Sequence, residues 1–310
     1  MTIKQILKDN ILKLKLKKIK NLHFDAEILL STILKKQREF ILSHTEYKLT
    51  KLQIKNYHAL INRRINGEPI AYLTGHKEFY GFDFNVNKNV LIPRPETELI
   101  IDEALKFVAH DSQPITIIDV GTGSGCIIIT LAKLLEPELK IKNYESGIKK
   151  YKLFATDISQ KALITARKNA KFYNVNKNIK FLNGDLLEPI IHNFKFIIPN
   201  SKILILANLP YVCEAWKKSY SADSIGLKFE PQIALFTGKN GLELYEKLFK
   251  QINKLQTKNY KFKNNINILC EFDPNQTTLI KKIIKKYFKN TKLQIKKDLA
   301  GYNRLAIIKN

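Results

Sequence analysis

The tetrapeptide Asn208-Leu209-Pro210-Tyr211 ends an apolar run, residues 203–207, that predicts a buried strand. An Asn side-chain oxygen and a backbone carbonyl at such a strand end can accept the two hydrogens of a flat NH2 group, while an aromatic ring covers its face. These residue types in this order indicate chemistry on a planar amino nitrogen. Taken alone, a tetrapeptide of this composition is also common in turns that follow a strand.

A second group of residues follows another predicted strand, residues 115–120. There the glycines are spaced G-x-G-x-G, which is neither the dinucleotide spacing G-x-G-x-x-G nor a Walker phosphate loop. Glycines let a ligand come close to the backbone where a helix presents its free N–H groups. The tighter spacing suits S-adenosylmethionine, whose amino-acid end needs close backbone contact. The predicted cofactor contacts in this loop are Gly121, Thr122, Gly123, Ser124 and Gly125.

Acidic residues follow the next two predicted strands. Asp157 ends the first of them, where its carboxylate can accept both ribose hydroxyls of the cofactor. Its separation from the glycines is longer than usual, and a polar insertion at 140–150 accounts for the excess. Asp185, after the following strand, is predicted to reach the adenine edge, and Leu186 to pack against the adenine face. For Leu186 alone, a simple turn explains the segment equally well.

The chain begins with a segment whose composition differs from that of the rest. Residues 1 to about 66 contain no Gly or Pro, and Leu, Ile and Phe recur at helical spacing, which predicts a helical bundle. Residues 79–86 alternate aromatic and polar side chains around a glycine, as in a hairpin-like linker. A helix is predicted from about Glu96 to Ala109, with Thr97 or Pro95 serving its first turn.

From residue 114 onward, predicted strands and helices alternate, which indicates a parallel sheet with helices on both faces. The strands are predicted at 115–120, 153–156, 179–182, 203–207, 266–272, 293–296 and 305–308, and the helices at 127–135, 160–174, 242–255 and 279–288. Ser159 is the predicted cap of the second helix. The polar segments 140–150 and 192–200 look like loop insertions. The candidate site residues all fall at carboxyl ends of strands, where open α/β sheets bind ligands.

Composition narrows the function classes without choosing one. The 310 residues, 45% of them hydrophobic, suffice for two domains, and no apolar run approaches a membrane span. No signal peptide is evident and the 3 cysteines are scattered, so we expect a cytoplasmic protein without a metal site. The net charge of +25 suggests nucleic acid, but few of the 53 basic residues are Arg. Codon bias explains that lysine excess better, and direct nucleic-acid binding is not expected.

Together these features resemble the PrmC/HemK family, the release-factor glutamine methyltransferases, nearly end to end. The segments that carry the resemblance are Gly67-Glu-Pro-Ile-Ala-Tyr-Leu-Thr-Gly75, Leu91-Ile-Pro-Arg-Pro-Glu-Thr-Glu98, Asp119-Val-Gly-Thr-Gly-Ser-Gly125, Glu230-Pro-Gln-Ile-Ala-Leu235 and Asp298-Leu-Ala-Gly-Tyr-Asn-Arg304. The segment 91–98 is the most specific. Its Pro95-Glu96-Thr97 favours the release-factor branch over a ribosomal-protein branch, which carries Arg-Ser-Pro-type residues there.

The resemblance implies a fold, a reaction and a partner. Residues 1–75 would form a helical domain that binds the release factor, 76–92 a hairpin linker, and 93–310 a class I methyltransferase domain. That domain is Rossmann-like, with a doubly wound sheet and a C-terminal antiparallel strand. The implied reaction moves a methyl group from S-adenosylmethionine to the side-chain nitrogen of the Gln in the release factor's Gly-Gly-Gln motif, which serves translation termination. A monomer is expected.

For the site, the expected catalytic residues are Asn208 and Tyr211, and the expected substrate contacts are Asn208, Leu209, Pro210 and Tyr211. We expect Asn208 to border the cofactor as well. The hypothesis is that the Asn208 side-chain oxygen and the Leu209 carbonyl accept the two amide hydrogens, while Tyr211 walls the pocket. No general base is required. The family tetrapeptide is usually Asn-Pro-Pro-Tyr, so Leu209 loses a fixed φ and adds a backbone N–H that needs a partner. The segment 271–275 also departs from the Gly-rich turn common in the family.

Three other functions remain open at this point. An adenine-N6 DNA or RNA methyltransferase holds an exocyclic amine with the same kind of tetrapeptide, although the scarcity of Arg and the segment 91–98 argue against it. A ribosomal-protein glutamine methyltransferase differs in its acceptor. A non-enzymatic adaptor that binds S-adenosylmethionine or the ribosome is disfavoured by the intact glycines, Asp157 and Asn208.

Overall fold

A computed structural model of the chain describes residues 1–17, 19–109, 113–137, 150–192, 201–218, 222–258 and 265–309. The insertions predicted at 140–150 and 192–200 lie almost wholly outside these residues. The chain forms two compact units. The first contains Met1–His76 with the described part of 220–229, and the second contains the other described residues from Lys77 onward.

The first unit is helical, as predicted. Its helices are α1 (Ile3–Leu16), α2 (Leu22–Leu34), α3 (Arg38–Ser43), α4 (Lys51–Ile65) and α5 (Ile70–Thr74). Thr2 and Thr50 begin α1 and α4 with capping boxes, in which the hydroxyl and a Gln three residues later satisfy two backbone N–H groups. The helices bury a shared apolar core around Leu29, Tyr57 and Ile61.

The predicted hairpin, β1 (His76–Phe79) and β2 (Phe82–Asn85), follows α5 and belongs to the second unit from Lys77 onward. Tyr80 and Gly81 join the strands with φ values of 52° and 75°, as a two-residue type I′ turn requires. A 3-10 turn, Pro95–Thr97, then leads into α6 (Glu98–Ala109). Pro95 starts this turn as expected, but Thr97 caps no helix, because its hydroxyl has a different partner described below.

The rest of the second unit is built on a seven-stranded sheet in the order β5-β4-β3-β6-β7-β9-β8. The strands are β3 (Ile115–Val120), β4 (Tyr151–Asp157), β5 (Ile179–Asn183), β6 (Lys202–Ala207), β7 (Ile266–Glu271), β8 (Lys292–Lys297) and β9 (Asn303–Lys309). Strands β3 to β7 pair in parallel, and β9 is antiparallel to both its neighbours. This confirms the predicted doubly wound sheet with a C-terminal antiparallel strand. Every residue of β3 and β7 is buried, because helices cover both faces.

The helices of this unit are α7 (Cys126–Leu134), α8 (Gln160–Phe172), α9 (Glu188–Ile191), α10 (Gln232–Leu235), α11 (Glu243–Lys258) and α12 (Thr277–Tyr287). Ser159 caps α8 as predicted, since its hydroxyl accepts the Ala162 N–H at 3.2 Å. The short α9 and α10, and 3-10 turns at Glu214–Lys218 and Ala222–Phe229, were missed because such short elements carry no readable periodicity. In the described ranges, no helix combines the length and apolar character needed to cross a membrane.

Candidate active site

The carboxyl ends of β3, β4, β5 and β6 open into a cavity of about 320 Å³ within the second unit. A cavity of this size suits a small molecule, and its position beside the β3–β6 pair is where the strand order reverses. The predicted site residues that line it are Gly121, Thr122, Gly123, Ser124, Asp157, Asp185, Leu186, Asn208, Leu209 and Pro210. Gly125 and Tyr211 are not among the lining residues. Ten of the twelve predicted site residues therefore lie around one cavity.

The three glycines of the β3–α7 turn have different tasks. A side chain at Gly121 would come within 2.9 Å of Leu209 Cδ2, and one at Gly125 within 2.7 Å of Ile129 Cδ1. Beside Gly123, by contrast, the space is open, because the nearest atom to an added Cβ lies 4.0 Å away. Two glycines therefore serve packing inside the fold, and Gly123 is where the backbone lies free for a ligand to approach.

Asp157 is tied to the same turn. Its Oδ2 accepts the Gly123 N–H at 2.9 Å, and its Oδ1 accepts the Ser159 N–H at 2.8 Å. Burial raises the pKa of Asp157, while these two N–H groups oppose the rise. Each carboxylate oxygen can accept a second hydrogen bond, so two acceptor positions remain for a ligand's hydroxyls.

Asp185 and Leu186 follow β5. The Asp185 carboxylate forms an ion pair with Lys247 of α11 that sequence reasoning missed. Leu186 has a φ of 52° and lies buried at the cavity wall. A left-handed conformation at a residue with a branched side chain costs roughly 1 kcal/mol. Leu186 therefore keeps this position because the neighbouring core packs around it.

Asp119, at the end of β3, is a fully buried carboxyl behind the glycine turn. Its Oδ2 accepts the Thr122 hydroxyl at 2.6 Å, and its Oδ1 has no hydrogen-bond partner among the described residues. Burial raises the pKa of Asp119 to about 7. A neutral carboxyl is therefore substantially populated there at physiological pH.

The tetrapeptide at the end of β6 leaves both of its predicted acceptors free. Asn208 Nδ2 donates to Thr97 Oγ1 at 2.9 Å. Neither Asn208 Oδ1 nor the Leu209 carbonyl has a hydrogen-bond partner among the residues that the structure describes. Thr97, predicted only as a helix-start residue, is thus part of the site and orients the Asn208 amide.

The N–H that Leu209 adds to the usual family pattern has a partner. It donates to the Tyr245 hydroxyl at 3.1 Å, and that hydroxyl lies within hydrogen-bond reach of the Ala207 and Glu271 carbonyls. Leu209 is only 3% exposed and packs against Gly121. The departure from Asn-Pro-Pro-Tyr therefore leaves no unsatisfied donor at the cavity wall.

Hydrogen bonds fix Tyr211 at both its side-chain hydroxyl and its backbone carbonyl. Its hydroxyl donates to Glu271 Oε1 at 3.1 Å, and its carbonyl accepts from Gln276 Nε2 at 2.7 Å. Asp273 caps the turn Pro274–Gln276 that carries this glutamine. The 271–275 segment, which lacks the glycines common in the family, therefore anchors Tyr211. Burial, followed by the Glu271 charge, raises the pKa of Tyr211 well above its usual range, so the phenol stays neutral.

An ion pair joins two of the motif segments quoted above. Arg94 Nη2 lies 2.6 Å from Glu230 Oε1, and Glu230 Oε2 accepts the Ile92 N–H at 3.0 Å. Glu230 is buried, and Arg94 lines the cavity. Sequence reasoning named both segments without this contact, because 136 residues separate the partners.

Two protein families match parts of the chain. Residues 5–75 match the PrmC N-terminal domain. Residues 115–221 match a family described as RNA cap guanine-N2 methyltransferase. The first match covers nearly all of the first unit up to α5, and the second covers the sheet from β3 to β6.

Whole-chain relatives and solved structures agree with these matches. The release factor glutamine methyltransferase of Mycoplasma mycoides is 36% identical over 95% of this chain and 97% of its own. That of Staphylococcus aureus is 33% identical over 92% of this chain and 91% of its own. Among solved structures, the hMettl16 catalytic domain in complex with a 3′UTR hairpin has a TM-score of 0.54 at 12% identity, covering 90% of this chain and 89% of that one, which shows a shared fold. The two relatives share more than 30% identity along almost their whole length, and this chain therefore belongs to the release factor glutamine methyltransferase family.

Proposed function

We propose that this protein methylates the side-chain amide nitrogen of the Gln in the Gly-Gly-Gln motif of peptide chain release factors, using S-adenosylmethionine. The proposal rests on the hydrogen bonds that the tetrapeptide makes and leaves open. Asn208 gives its NH2 group to Thr97, so its side-chain oxygen is free to accept a hydrogen of the substrate amide beside the free Leu209 carbonyl. Membership of the family supplies the acceptor protein.

The cavity suits S-adenosylmethionine. The open backbone at Gly123 accommodates the amino-acid end, and the unused acceptor positions of Asp157 match the two ribose hydroxyls. Leu186 offers an apolar surface for the adenine ring, and Asp185 lies next to it. The cofactor supplies an electrophilic methyl group on a sulfonium centre.

The tetrapeptide's task is to position a poor nucleophile, because the lone pair of an amide nitrogen is delocalised into its carbonyl. The Asn208 oxygen and the Leu209 carbonyl accept its two hydrogens and orient the nitrogen toward the methyl group. The same two oxygens stabilise the positive charge that develops on the nitrogen during transfer. Tyr211, fixed by its hydrogen bonds to Glu271 and Gln276, lies beside these two oxygens. The nitrogen then loses one hydrogen as a proton, which water can take.

The first unit is proposed as the release-factor-binding part of the protein. Its match to the PrmC N-terminal domain supports this assignment. We also propose that the protein acts as a monomer in the cytoplasm.

The test offers tritiated S-adenosylmethionine and one of four acceptors: a release factor, the same factor with its Gly-Gly-Gln glutamine changed to Asn, duplex DNA, or the RNA and ribosomal proteins of dissociated ribosomes. We expect label only in the unmodified release factor, and mass spectrometry of its tryptic peptide should place one added methyl group on the glutamine. Label in the variant factor, or in any other acceptor alone, would contradict the proposal.

A second candidate, methylation of an exocyclic base amine, has one observation in its favour. The match of residues 115–221 to an RNA cap guanine-N2 methyltransferase family covers the tetrapeptide. A planar exocyclic amine presents the same two hydrogens as a primary amide. The DNA and RNA arms of the experiment above decide this candidate directly.

A further inference from the structure

We infer that Gln251 on α11 is a positioning residue for the cofactor, because its side-chain amide holds the turn that carries Asp185 and Leu186. This inference rests on the cofactor placement in the proposed function, where Asp185 and Leu186 contact adenine. Gln251 itself does not line the cavity. It would therefore act on the cofactor only through the turn.

The turn that follows β5 has an unusual backbone conformation. It runs from Asp185 to Glu188, and the Glu188 N–H donates to the Asp185 carbonyl at 3.0 Å. Leu186 occupies the second position of the turn with a φ of 52°, where turns of this kind usually carry Gly or Asn. A non-glycine residue keeps such a conformation only when the contacts around it enforce it. The bonds made to this turn therefore decide whether Leu186 stays at the cavity wall.

Gln251 forms hydrogen bonds to the peptide groups on both sides of Leu186. Its Oε1 accepts the Leu187 N–H at 2.8 Å, and its Nε2 donates to the Asp185 carbonyl at 3.4 Å. The second bond is long, so the first contributes more. The orientation of the Gln251 amide is fixed, since the reverse orientation would place its NH2 group against a backbone N–H. One side chain thus spans the residue with the strained backbone.

Burial makes the bond to Leu187 important for the folded turn. Leu187 is 0% exposed and Gln251 is 9% exposed. A buried N–H that loses its acceptor destabilises the conformation that buries it. Without the Gln251 oxygen, the Leu187 N–H would regain an acceptor by moving toward water, and Leu186 would move with it.

Lys247 lies four residues before Gln251 on the same face of α11, and it pairs with the Asp185 carboxylate. The ion pair uses Asp185 Oδ2, so Oδ1 can accept a hydrogen from the adenine amino group. The Lys247 side chain is 47% exposed, and exposed ion pairs contribute little to conformational stability. Gln251 is therefore the main positioning residue of the turn, and Lys247 orients the carboxylate.

A turn held in this way can distinguish adenine from a closely related base. Adenine bears an NH2 donor at its 6-position, which the Asp185 carboxylate can accept. Hypoxanthine has a carbonyl oxygen there, which a carboxylate repels. The adenosyl and inosyl forms of one ligand therefore report whether Asp185 is held in place.

The test measures the Kd of S-adenosylhomocysteine and of S-inosylhomocysteine by calorimetry, in the parent and in variants of Gln251. We expect the parent to bind the adenosyl compound at least about tenfold more tightly. Gln251→Met keeps the length of the side chain and the helix propensity but removes both hydrogen bonds. It should weaken binding of the adenosyl compound by about tenfold or more, and reduce the ratio of the two Kd values to less than about threefold. Gln251→Glu keeps the acceptor for Leu187 and should show a smaller loss.

Further variants and a rate measurement separate positioning from a general loss of stability, which would affect both compounds equally. Asn253→Leu on the same helix removes a bond to the Tyr287 carbonyl outside the cavity, and it should leave both Kd values unchanged. Lys247→Met should change the Kd ratio by less than about threefold. The methylation rate of Gln251→Met at saturating S-adenosylmethionine should stay within about threefold of the parent, because the variant leaves the tetrapeptide intact.

The inference is overturned if Gln251→Met keeps the Kd ratio of the parent, or if the parent does not distinguish the two compounds. If Gln251→Met does not fold, Gln251→Glu decides, since an unchanged ratio in that variant also rejects the inference. Calorimetry needs no methyl acceptor, so the proposed function is tested separately. A parent that binds both compounds but leaves the release factor unlabelled contradicts only the proposed function, whereas a parent that binds neither overturns the cofactor placement and this inference together.

Discussion

The backbone N–H of Leu209 donates to the hydroxyl of Tyr245 at 3.1 Å, and this bond connects the end of β6 to α11. The usual family residue at position 209, proline, has no N–H to satisfy. In this chain the donor exists, points into the core and meets a fully buried hydroxyl. The substitution therefore leaves φ at residue 209 less restricted, but it leaves no buried N–H group unpaired.

Tyr245→Phe should reveal that bond through its dependence on residue 209. In the parent we expect a loss of unfolding free energy of about 1–3 kcal/mol, because the Leu209 N–H is left buried and unpaired. In a Leu209→Pro background the loss should be smaller, since that N–H no longer exists. Urea unfolding of the parent, the two single variants and the double variant measures the difference. Equal losses in the two backgrounds would show that Tyr245 acts only through the Ala207 and Glu271 carbonyls.

Asn208→Ala tests the acceptor role of the tetrapeptide. We expect kcat to fall by about a hundredfold or more, because one of the two groups that orient the amide and stabilise its developing charge is lost. The Kd for S-adenosylmethionine, measured by calorimetry, should change less than about threefold. Asn87→Ala is a suitable control, since Asn87 bonds to Thr165 and does not line the cavity. Unchanged turnover in Asn208→Ala would remove Asn208 from the mechanism.

The glycines at 123 and 125 form a matched pair for separating binding from folding. Both have positive φ, 56° and 82°, so alanine strains the backbone at each. Gly125→Ala should destabilise the protein more, because its Cβ would also lie 2.7 Å from Ile129 Cδ1 and 3.2 Å from Ala166 Cβ. Gly123→Ala should chiefly weaken S-adenosylmethionine binding, since its Cβ would enter the open space beside the turn. Thermal unfolding and calorimetry report the two effects, and a reversed order would contradict the assignment of Gly123 to the ligand.

Asp119 should make stability fall as pH rises. Burial raises its pKa from 3.8 to about 7 in the folded state, so the folded protein holds a proton that the unfolded chain has released. The stability from this proton is present below the unfolded pKa and is lost as pH rises through the folded pKa. Asp119→Asn carries no charge and keeps an oxygen for the Thr122 hydroxyl, so it should match the parent at low pH and exceed it by up to about 4 kcal/mol above pH 7. Urea unfolding at pH 5 and pH 8 tests this, and a pH-independent difference between the two proteins would refute it.

Local sequence patterns were sufficient for the longer strands and helices and for the first list of site residues. The strand at 115–120 was predicted with its observed bounds, and the Ser159 cap was predicted correctly, since apolar runs and capping residues act over a few positions. The order of strand ends along the chain then predicted one shared edge. The observed sheet brings ten of the predicted residues to one cavity at that edge.

The partners of those residues were decided by the tertiary structure alone. Thr97 meets Asn208 across 111 positions, and Tyr245 meets Leu209 across 36. No local pattern encodes such pairs, because the turn Pro95–Thr97, the end of β6 and α11 come together only in the folded second unit. The amino-acid sequence by itself therefore predicted the groups that we propose to hold a planar amide and a methyl donor. Which way the Asn208 amide points, and how the extra N–H of Leu209 is satisfied, depended on buried hydrogen bonds between distant segments.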